Sequence, residues 1–433
     1  MKETDNQNNA LWVRGGTLVD PYTKKEEKRD LYVEEGKYVE KPEESFFKYA
    51  EEVDAADCIV APGLTDLQVH FREPGETHKE TIETGSRAAA AGGFTRVVCM
   101  PNTSPVCDHA GVLRLISHEI ETGACIEVLP TGCITKGAEG KELSPIGSLK
   151  NAGAVALTEG GKCVQNNELM CRALEYAKML DMIILDHCQD YSMTENAVMN
   201  EGEWSFKLGL RGWPHEAEDL MVARDAILAE KTGTPIHLQN ISSGSAIDII
   251  ERVRSRGVPI TVEVTPHHFS LTDAALEGYE TCFKMNPPLR SEANRQRILQ
   301  ALKDGIVDCI SCDHAPHTED EKDLEFDYAP FGVIGLETSL AVSVTELYHE
   351  EGFSLMRIME LMASVPDQIM GFESKALVPM NDANFMIFDP NASWTVDKEG
   401  FASKSKNSPW VGRTLKGDLK LTSYRGNVVF SKF

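Results

Sequence analysis

Residues 64–75 read LTDLQVHFREPG, and this stretch begins the pattern that decides the fold. A short run of strand length ends in residues able to do chemistry, among them Gln68 and His70. Alternate residues of a strand point to the same face, so these two side chains can reach one point. We therefore expect a buried strand whose last residues face a common volume.

Short strand-like runs of this kind recur along the chain, and amphipathic stretches such as residues 167–180 and 216–232 separate them. The runs lie near residues 64–70, 95–100, 125–130, 154–157, 183–187, 236–240, 259–264 and 307–312. Strands that alternate with helices predict repeated βα units around a parallel sheet. Eight strands close a barrel, so we predict an α/β fold, a (β/α)8 TIM-type barrel over residues 61–374.

The two ends of the chain lack the alternation of strand-like runs and amphipathic stretches that the middle shows. Residues 11 to about 60 form short strand-like pieces broken by turns, and similar pieces return after residue 375 in ANFMIFDP and LKLTSYRG. We predict that residues 1–60 and 375–433 together form a small β-sandwich beside the barrel.

Composition excludes several classes of protein. The chain has 433 residues, of which 42% are hydrophobic, enough for a sizeable core. A formal charge of −25 argues against binding nucleic acid, because a phosphate backbone would be repelled. The polar opening MKETDNQNNA and the absence of a long apolar stretch predict a soluble, cytoplasmic protein.

Eleven cysteines are scattered along the chain, many inside apolar runs, which favours buried, reduced thiols. Cys309 and Cys312 form a lone CxxC, but three residues along a strand place them on opposite faces. We interpret them as two core cysteines rather than half of a zinc site.

Polar residues gather where the predicted strands end, which is where parallel barrels carry their reactive groups. These residues are Gln68, His70, Asn102, Glu159, His187, Asn240, Asp313 and His317. A single His or Asp at such a place is more often a structural hydrogen-bonding group than a ligand. Their coincidence at successive strand ends indicates a functional site.

Several of these segments resemble signatures of the dihydroorotase family. The matching stretches are HFREPG at 70–75, MPNT at 100–103, NPPLR at 286–290, DHAPHT at 313–318 and APFGVIGLET at 329–338, with KETIETGSRAAAAGGFT and TVEVTPHH in support. The resemblance runs from about residue 10 to the C-terminus. Arg72 argues against the related allantoinases, whose pattern places Asn there.

The resemblance implies the reversible interconversion of N-carbamoyl-aspartate and dihydroorotate in pyrimidine synthesis. In this family two divalent metal ions, normally zinc, hold a bridging hydroxide that attacks the ring amide. Asp313 matches the Asp that both binds metal and shuttles the proton. The family's substrate clamp falls on Arg72, Asn102, Asn286 and His317, and a guanidinium fork is suited to a carboxylate.

The metal ligands depart from the family pattern at two positions. His70, His187 and Asp313 are retained, and Glu159 lies where the family's bridging Asp is expected. Gln68 and Asn240 stand where the family has histidines, and a neutral amide oxygen is a poor zinc ligand. We expect one ion or none. His237 points to the wrong face of its strand to substitute, so a packing role is favoured.

Three functions stay open at this point. The chain is a metal-deficient pseudoenzyme that acts as a scaffold partner of aspartate carbamoyltransferase, or a weakly active cyclic amidohydrolase with a single metal ion. The third alternative is a module that binds the ligand without turnover. A homo-oligomer is expected in each case.

Overall fold

The computed structural model describes residues 10–433, and its first part consists of short strands. These are β1 (Leu11–Arg14), β2 (Thr17–Asp20), β3 (Lys25–Lys28), β4 (Leu31–Glu34), β5 (Lys37–Val39), β6 (Glu51–Asp54) and β7 (Ile59–Pro62). Turns separate most of these strands, as predicted from the turn residues in this part of the sequence.

Ten strands follow, of which eight form the barrel. The barrel strands are β8 (Leu64–Val69), β9 (Phe94–Cys99), β10 (Glu127–Pro130), β11 (Ala156–Leu157), β12 (Ile183–His187), β15 (Ile236–Gln239), β16 (Ile260–Val264) and β17 (Cys309–Ile310). The other two, β13 (Met199–Asn200) and β14 (Gly212–Trp213), pair only with each other. Each of the eight predicted runs thus contains one barrel strand.

Parallel pairing joins the barrel strands into two arcs, in the orders β10-β9-β8 and β11-β12-β15-β16-β17. Two isolated parallel bridges, Gly132 with Leu157 and Val69 with His314, connect the arcs at both seams. The sheet therefore closes, and the predicted (β/α)8 barrel is confirmed.

Helices fill the connections. They are α1 (Ile82–Ala91), α2 (Ala110–Gly123), α3 (Ile146–Ala152), α4 (Asn167–Met179), α5 (Tyr191–Thr194), α6 (Glu203–Leu208), α7 (Glu216–Thr232), α8 (Gly244–Arg254), α9 (Pro266–Ser270), α10 (Glu292–Asp304), α11 (Glu319–Lys322), α12 (Leu336–Ser343), α13 (Leu355–Met359) and α14 (Val365–Met370). Turns of π-helix at Val344–Glu350 and Glu360–Ser364 extend α12 and α13. No helix within residues 10–433 combines the length and apolar character needed to cross a membrane.

Strands from both chain ends form the sandwich. After the barrel come β18 (Phe385–Thr395), β19 (Thr414–Tyr424) and β20 (Asn427–Ser431). One sheet has the order β20-β19-β18-β7-β2-β3, and the other has the order β5-β4-β1-β6. Side chains such as Leu18, Val33, Phe385 and Ile387 form a core of their own. The prediction that both ends build one sandwich is confirmed.

Side-chain alternation along the strands separates the inside of the barrel from the surrounding helices. In β12, Ile184 packs in the layer between strands and helices, whereas Leu185 joins Leu67, Val98 and Cys309 in a separate interior cluster. Cys312 packs in the outer layer, so the two residues of the CxxC face opposite ways, as predicted. All eleven cysteines are free.

Candidate functional site

Three residues at the barrel mouth have backbone conformations that side chains rarely adopt. Arg72, Asn240 and Asp313 have φ angles of 60°, 52° and 50°, respectively. Such left-handed conformations cost of order 1–3 kcal/mol each and cluster at functional sites. At Asn240 this conformation also interrupts the side-chain alternation of β15, which ends at Gln239.

Asp66 fixes the position of the first strand end against the last. Its Oδ1 accepts a hydrogen bond from the backbone N–H of Gln68 at 2.8 Å, and its Oδ2 accepts one from the N–H of Cys312 at 2.7 Å. The carboxyl is fully buried, and burial raises its pKa to about 7 despite these hydrogen bonds. β8 is irregular between Asp66 and Val69.

Asp313 is at the centre of a hydrogen-bonded group. Its Oδ1 lies 3.1 Å from His70 Nε2 and accepts from Gln68 Nε2 at 3.2 Å. The other ring nitrogen of His70, Nδ1, is 2.9 Å from Asn102 Oδ1. Burial alone would raise the pKa of Asp313, but the hydrogen bond and charge of His70 outweigh it and lower the pKa. The carboxylate is therefore held ionised.

His187 has one ring nitrogen paired and one free. Its Nε2 lies 3.0 Å from Asn286 Oδ1, while its Nδ1 has no partner and is buried. Asn286 in turn donates to Gln189 Oε1 at 3.3 Å. Burial lowers the pKa of His187, so the imidazole is neutral with a bare Nδ1 lone pair.

Glu159 and Asn240 are the least engaged of the predicted residues. Glu159 Oε1 accepts from the backbone N–H of Thr135 at 2.6 Å, and Oε2 has no partner. Burial raises the pKa of Glu159 to about 7. Neither amide atom of the fully buried Asn240 has a partner. Leaving such groups unpaired is costly, so their free atoms mark places where a ligand or water is needed.

The guanidinium of Arg72 is buried without a carboxylate partner. Its Nε donates to Pro316 O at 3.2 Å, and its Nη2 lies 3.4 Å from His317 Nε2. No ion pair to Arg72 occurs within the described part of the chain, although the carboxylates of Glu76, Asp313 and Glu321 lie near enough to oppose the lowering of its pKa by burial. Burial, followed by the charge of Arg72, lowers the pKa of His317. A cationic fork thus remains available to an anion.

These residues do not match the donor set of a two-zinc centre. Amides replace two imidazoles, and the Gln68 amide turns its NH2 group, not its oxygen, toward Asp313. Ligand atoms of three His, Cys, Asp or Glu residues come within 4.8 Å of one another at only two places in residues 10–433, and neither includes His70, Glu159, His187 or Asp313. The structure thus brings Gln68, His70 and Asp313 together but not the full set.

The two groups that do converge lie elsewhere in the barrel wall and have internal partners. In the first, His237, Glu263 and Cys309, the Nε2 atom of His237 lies 3.1 Å from Glu263 Oε2. This pairing agrees with the packing role favoured for His237. In the second, Asp186, Cys188 and Asp225, the Arg224 guanidinium already supplies the positive charge, 3.0 Å from Asp186.

His267, which follows the seventh barrel strand, was not among the residues predicted from the sequence. Its Nε2 is buried without a partner, and its charge contributes to the lowered pKa of Asp313. Burial lowers the pKa of His267 itself to about 4. The stretch TVEVTPHH contains the end of β16 and the residues that follow it. Polar residues at strand ends were the basis of the predicted site, so the same criterion applied to this strand would have included His267.

Comparison with known proteins shows the family to which the chain belongs. The chain is 46% identical over 419 residues to a dihydroorotase of Pelotomaculum thermopropionicum, which covers 97% of this chain and 98% of that protein. This chain belongs to the dihydroorotase family. It is also 45% identical over 428 residues to a dihydroorotase of Geobacter metallireducens, with 98% of this chain and 100% of the relative covered.

A family model and solved structures provide two further comparisons. A family model described as Dihydro-orotase-like matches residues 57–246. The L-hydantoinase (dihydropyrimidinase) of Arthrobacter aurescens has a TM-score of 0.87 at 22% identity, covering 98% of this chain and 96% of that one. A D-hydantoinase from a Thermus species has a TM-score of 0.80 at 23% identity, with coverage of 96% and 94%. At these identities, what is shared is the fold.

Proposed function

We propose that this member of the dihydroorotase family binds dihydroorotate and N-carbamoyl-aspartate at the barrel mouth and interconverts them slowly. The observation that carries the proposal is the buried, unpaired guanidinium of Arg72 beside His317. A buried cation without a direct ion pair is costly, and a substrate carboxylate would supply that contact. All four residues of the substrate clamp, Arg72, Asn102, Asn286 and His317, are present, whereas Gln68 and Asn240 replace two metal ligands.

Asn102 and Asn286 connect recognition with the retained histidines. Asn102 contacts His70, and Asn286 contacts His187, in each case through the side-chain oxygen. The Nδ2 amide group of Asn102 is therefore left to donate to a substrate oxygen, whereas that of Asn286 also reaches Gln189. A ligand that binds both amides lies against His70 and His187.

Asp313 is suited to carry the proton in either direction. Its lowered pKa keeps it as a carboxylate, able to accept a proton from the water that attacks the ring amide carbonyl. The same carboxyl then gives that proton to the ring nitrogen as the carbon–nitrogen bond breaks. Ring closure runs through the same groups in reverse.

We infer that the site takes one divalent ion or none rather than a zinc pair. The loss of an imidazole at Gln68 and another at Asn240 removes a strong nitrogen ligand from each side of the centre. Without the full set, the attacking water is activated mainly by Asp313. Slow turnover follows from that loss.

A scaffold role is the second candidate, with aspartate carbamoyltransferase as the partner that the family resemblance suggests. It is favoured by the contact between Gln68 and Asp313, which satisfies the carboxylate inside the protein instead of leaving it for a metal ion. A homo-oligomer stays a prediction under both candidates.

One experiment separates the two candidates. Protein purified without chelator is assayed for dihydroorotate hydrolysis, its metal content is measured, and it is mixed with aspartate carbamoyltransferase in an ultracentrifuge. Slow hydrolysis that follows enzyme concentration supports the first candidate. A stable complex without any hydrolysis supports the scaffold, and a full pair of zinc ions contradicts the inference of an impaired metal centre.

A further inference from the structure

The loop after His317, residues 318–332, presents its backbone carbonyls inward to side-chain donors instead of to a helix or sheet. The carbonyls so used belong to Phe326, Asp327, Pro330, Phe331 and Gly332. Apart from the short helix α11, Glu319–Lys322, this loop has no regular structure and must satisfy its buried polar backbone in some other way. The donors therefore decide where this loop lies.

Lys284 supplies the first of these donors. Its ammonium donates to Phe326 O at 2.5 Å and to Asp327 O at 3.1 Å, and it lies 4.7 Å from the ring centre of Phe331. The side chain is almost completely buried. Carbonyl dipoles and an aromatic face thus take the place of a counter-ion.

Lys322 supplies the second donor and connects the loop to a neighbouring segment. Its ammonium donates to Pro330 O at 2.8 Å, Thr281 O at 3.1 Å and Lys284 O at 3.4 Å. An ammonium has three N–H groups, and here each has a carbonyl acceptor. Neither this ammonium nor that of Lys284 forms an ion pair in the part of the chain described.

The loop whose carbonyls Lys284 and Lys322 bind also contacts His317. The carbonyl of Phe331 lies 2.9 Å from His317 Nε2, and the backbone N–H of Gly332 donates to Lys284 O at 2.9 Å. His317 in turn lies beside the Arg72 guanidinium. The other ring nitrogen, Nδ1, lies 3.2 Å from Glu321 Oε2. Displacement of residues 326–331 would therefore move one of the two acceptors that orient the His317 ring.

We propose that Lys284 and Lys322 are positioning residues of the substrate site: their buried ammonium groups hold the loop carbonyls and thereby fix His317 against Arg72. This inference rests on the proposed function for its substrate. It adds that recognition of the substrate carboxylate depends on two buried lysine side chains that do not touch it. Burial, rather than an acidic partner, dominates the environment of both, lowering the pKa of Lys284 to about 8 and that of Lys322 to about 7.

The test compares Lys284→Met and Lys322→Met with Lys398→Met in the full chain. Lys398 contacts the same loop, but through an exposed ion pair with Glu319 at 3.2 Å. We expect amide hydrogen exchange in residues 323–332 to quicken about tenfold or more in the first two variants and to stay unchanged in the third. Lys322→Gln, which keeps two N–H groups, should give an intermediate rate.

A second readout reports on His317 itself. In histidine labelled with ¹⁵N, the Nε2 signal of His317, assigned with His317→Gln, should shift in both lysine-to-methionine variants but not in Lys398→Met. A purely structural role for the lysines would lower the melting temperature and leave this signal in place. Binding of dihydroorotate should weaken about fivefold or more in step with the shift.

Unchanged exchange in residues 323–332, or an unmoved His317 signal in variants with faster exchange, overturns the proposal. Wild-type protein that fails to bind dihydroorotate contradicts the proposed function instead. In that case exchange and the histidine signal still decide whether the two lysines position His317.

Discussion

Asn240 shows how closely the local backbone and the chemistry of this site are linked. Its φ of 52° belongs to a region that Asn, Asp and His enter more readily than other side chains. Asn and the histidine that the family resemblance implies there both suit this backbone, so the difference between them lies in the side-chain chemistry. The change at Gln68, in contrast, leaves an amide that donates to Asp313. The two replacements therefore alter the centre in different ways.

Restoring both histidines should restore metal binding. In Gln68→His combined with Asn240→His, each side of the centre regains an imidazole, and we expect zinc content after purification to rise by at least about tenfold. Elemental analysis gives the measurement, and the two single variants serve as controls. Zinc content equal to that of the wild type in the double variant would mean that Glu159 or the surrounding backbone has also changed.

Removing the carboxylate of Asp313 should stop the chemistry. We expect Asp313→Asn to lower the rate of dihydroorotate hydrolysis by about 10²-fold or more, because Asp313 is the group that we propose moves the proton. Asp320→Asn, an exposed change in the nearby loop, is the matched control and should keep the wild-type rate. Equal rates in Asp313→Asn and wild type would show that the measured hydrolysis comes from a contaminant.

At the scale of elements, alternation of strand runs with amphipathic helices was enough to predict the barrel. Each barrel strand falls in a predicted run, because burial on both faces of a parallel strand leaves a clear apolar signal. The seams at Val69 with His314 and Gly132 with Leu157 were not predictable, since single bridges leave no pattern in sequence. Lys284 and Lys322 were missed for a related reason: their acceptors are backbone carbonyls.

The packing inside the barrel predicts a large difference between two leucines. Leu185 is fully buried in the interior cluster, whereas Leu220 on α7 is 53% exposed. We expect Leu185→Ala to lower the free energy of unfolding by about 2–5 kcal/mol. Leu220→Ala should change it by less than about 0.5 kcal/mol. Urea denaturation checks both, and similar losses for the two variants would contradict the assignment of the interior cluster.

Glu337 connects the start of α12 to residues 401–408 and makes stability depend on pH. Its carboxylate accepts from the backbone N–H groups of Ala402 and Ser403, yet burial raises its pKa to about 7 from an ordinary value of 4.5. A raised carboxyl pKa means that the folded state binds more protons, so this contribution to stability is lost as the pH rises from 4.5 to 7.

The variant Glu337→Gln has no such titration. Relative to the wild type, its free energy of unfolding should therefore rise by up to about 3 kcal/mol between pH 4.5 and pH 7, at about 1.4 kcal/mol for each pKa unit. Denaturant unfolding at several pH values provides the comparison. A constant difference between the two proteins across this range would show that the pKa of Glu337 is not raised.

At the scale of the whole molecule, the fold and the family are shown, and we propose that the site combines retained and altered parts. Arg72, Asn102, Asn286 and His317 were predicted from signature residues, and the structure places Arg72 next to His317 without an ion pair to a carboxylate. Whether donors converge on a metal ion was not predictable, because convergence depends on rotamers and strand ends. Glu159 illustrates this, since Thr135 takes one of its oxygens.

Binding of dihydroorotate by the wild type and by Arg72→Gln is the decisive measurement, because we propose that substrate recognition persists while the metal centre is impaired. Calorimetric titration of dihydroorotate into the wild type should show saturable binding at one site per chain. In Arg72→Gln, which removes the guanidinium, affinity should fall by at least about tenfold. No detectable heat from the wild type at millimolar dihydroorotate, or equal affinity in both proteins, would contradict the account.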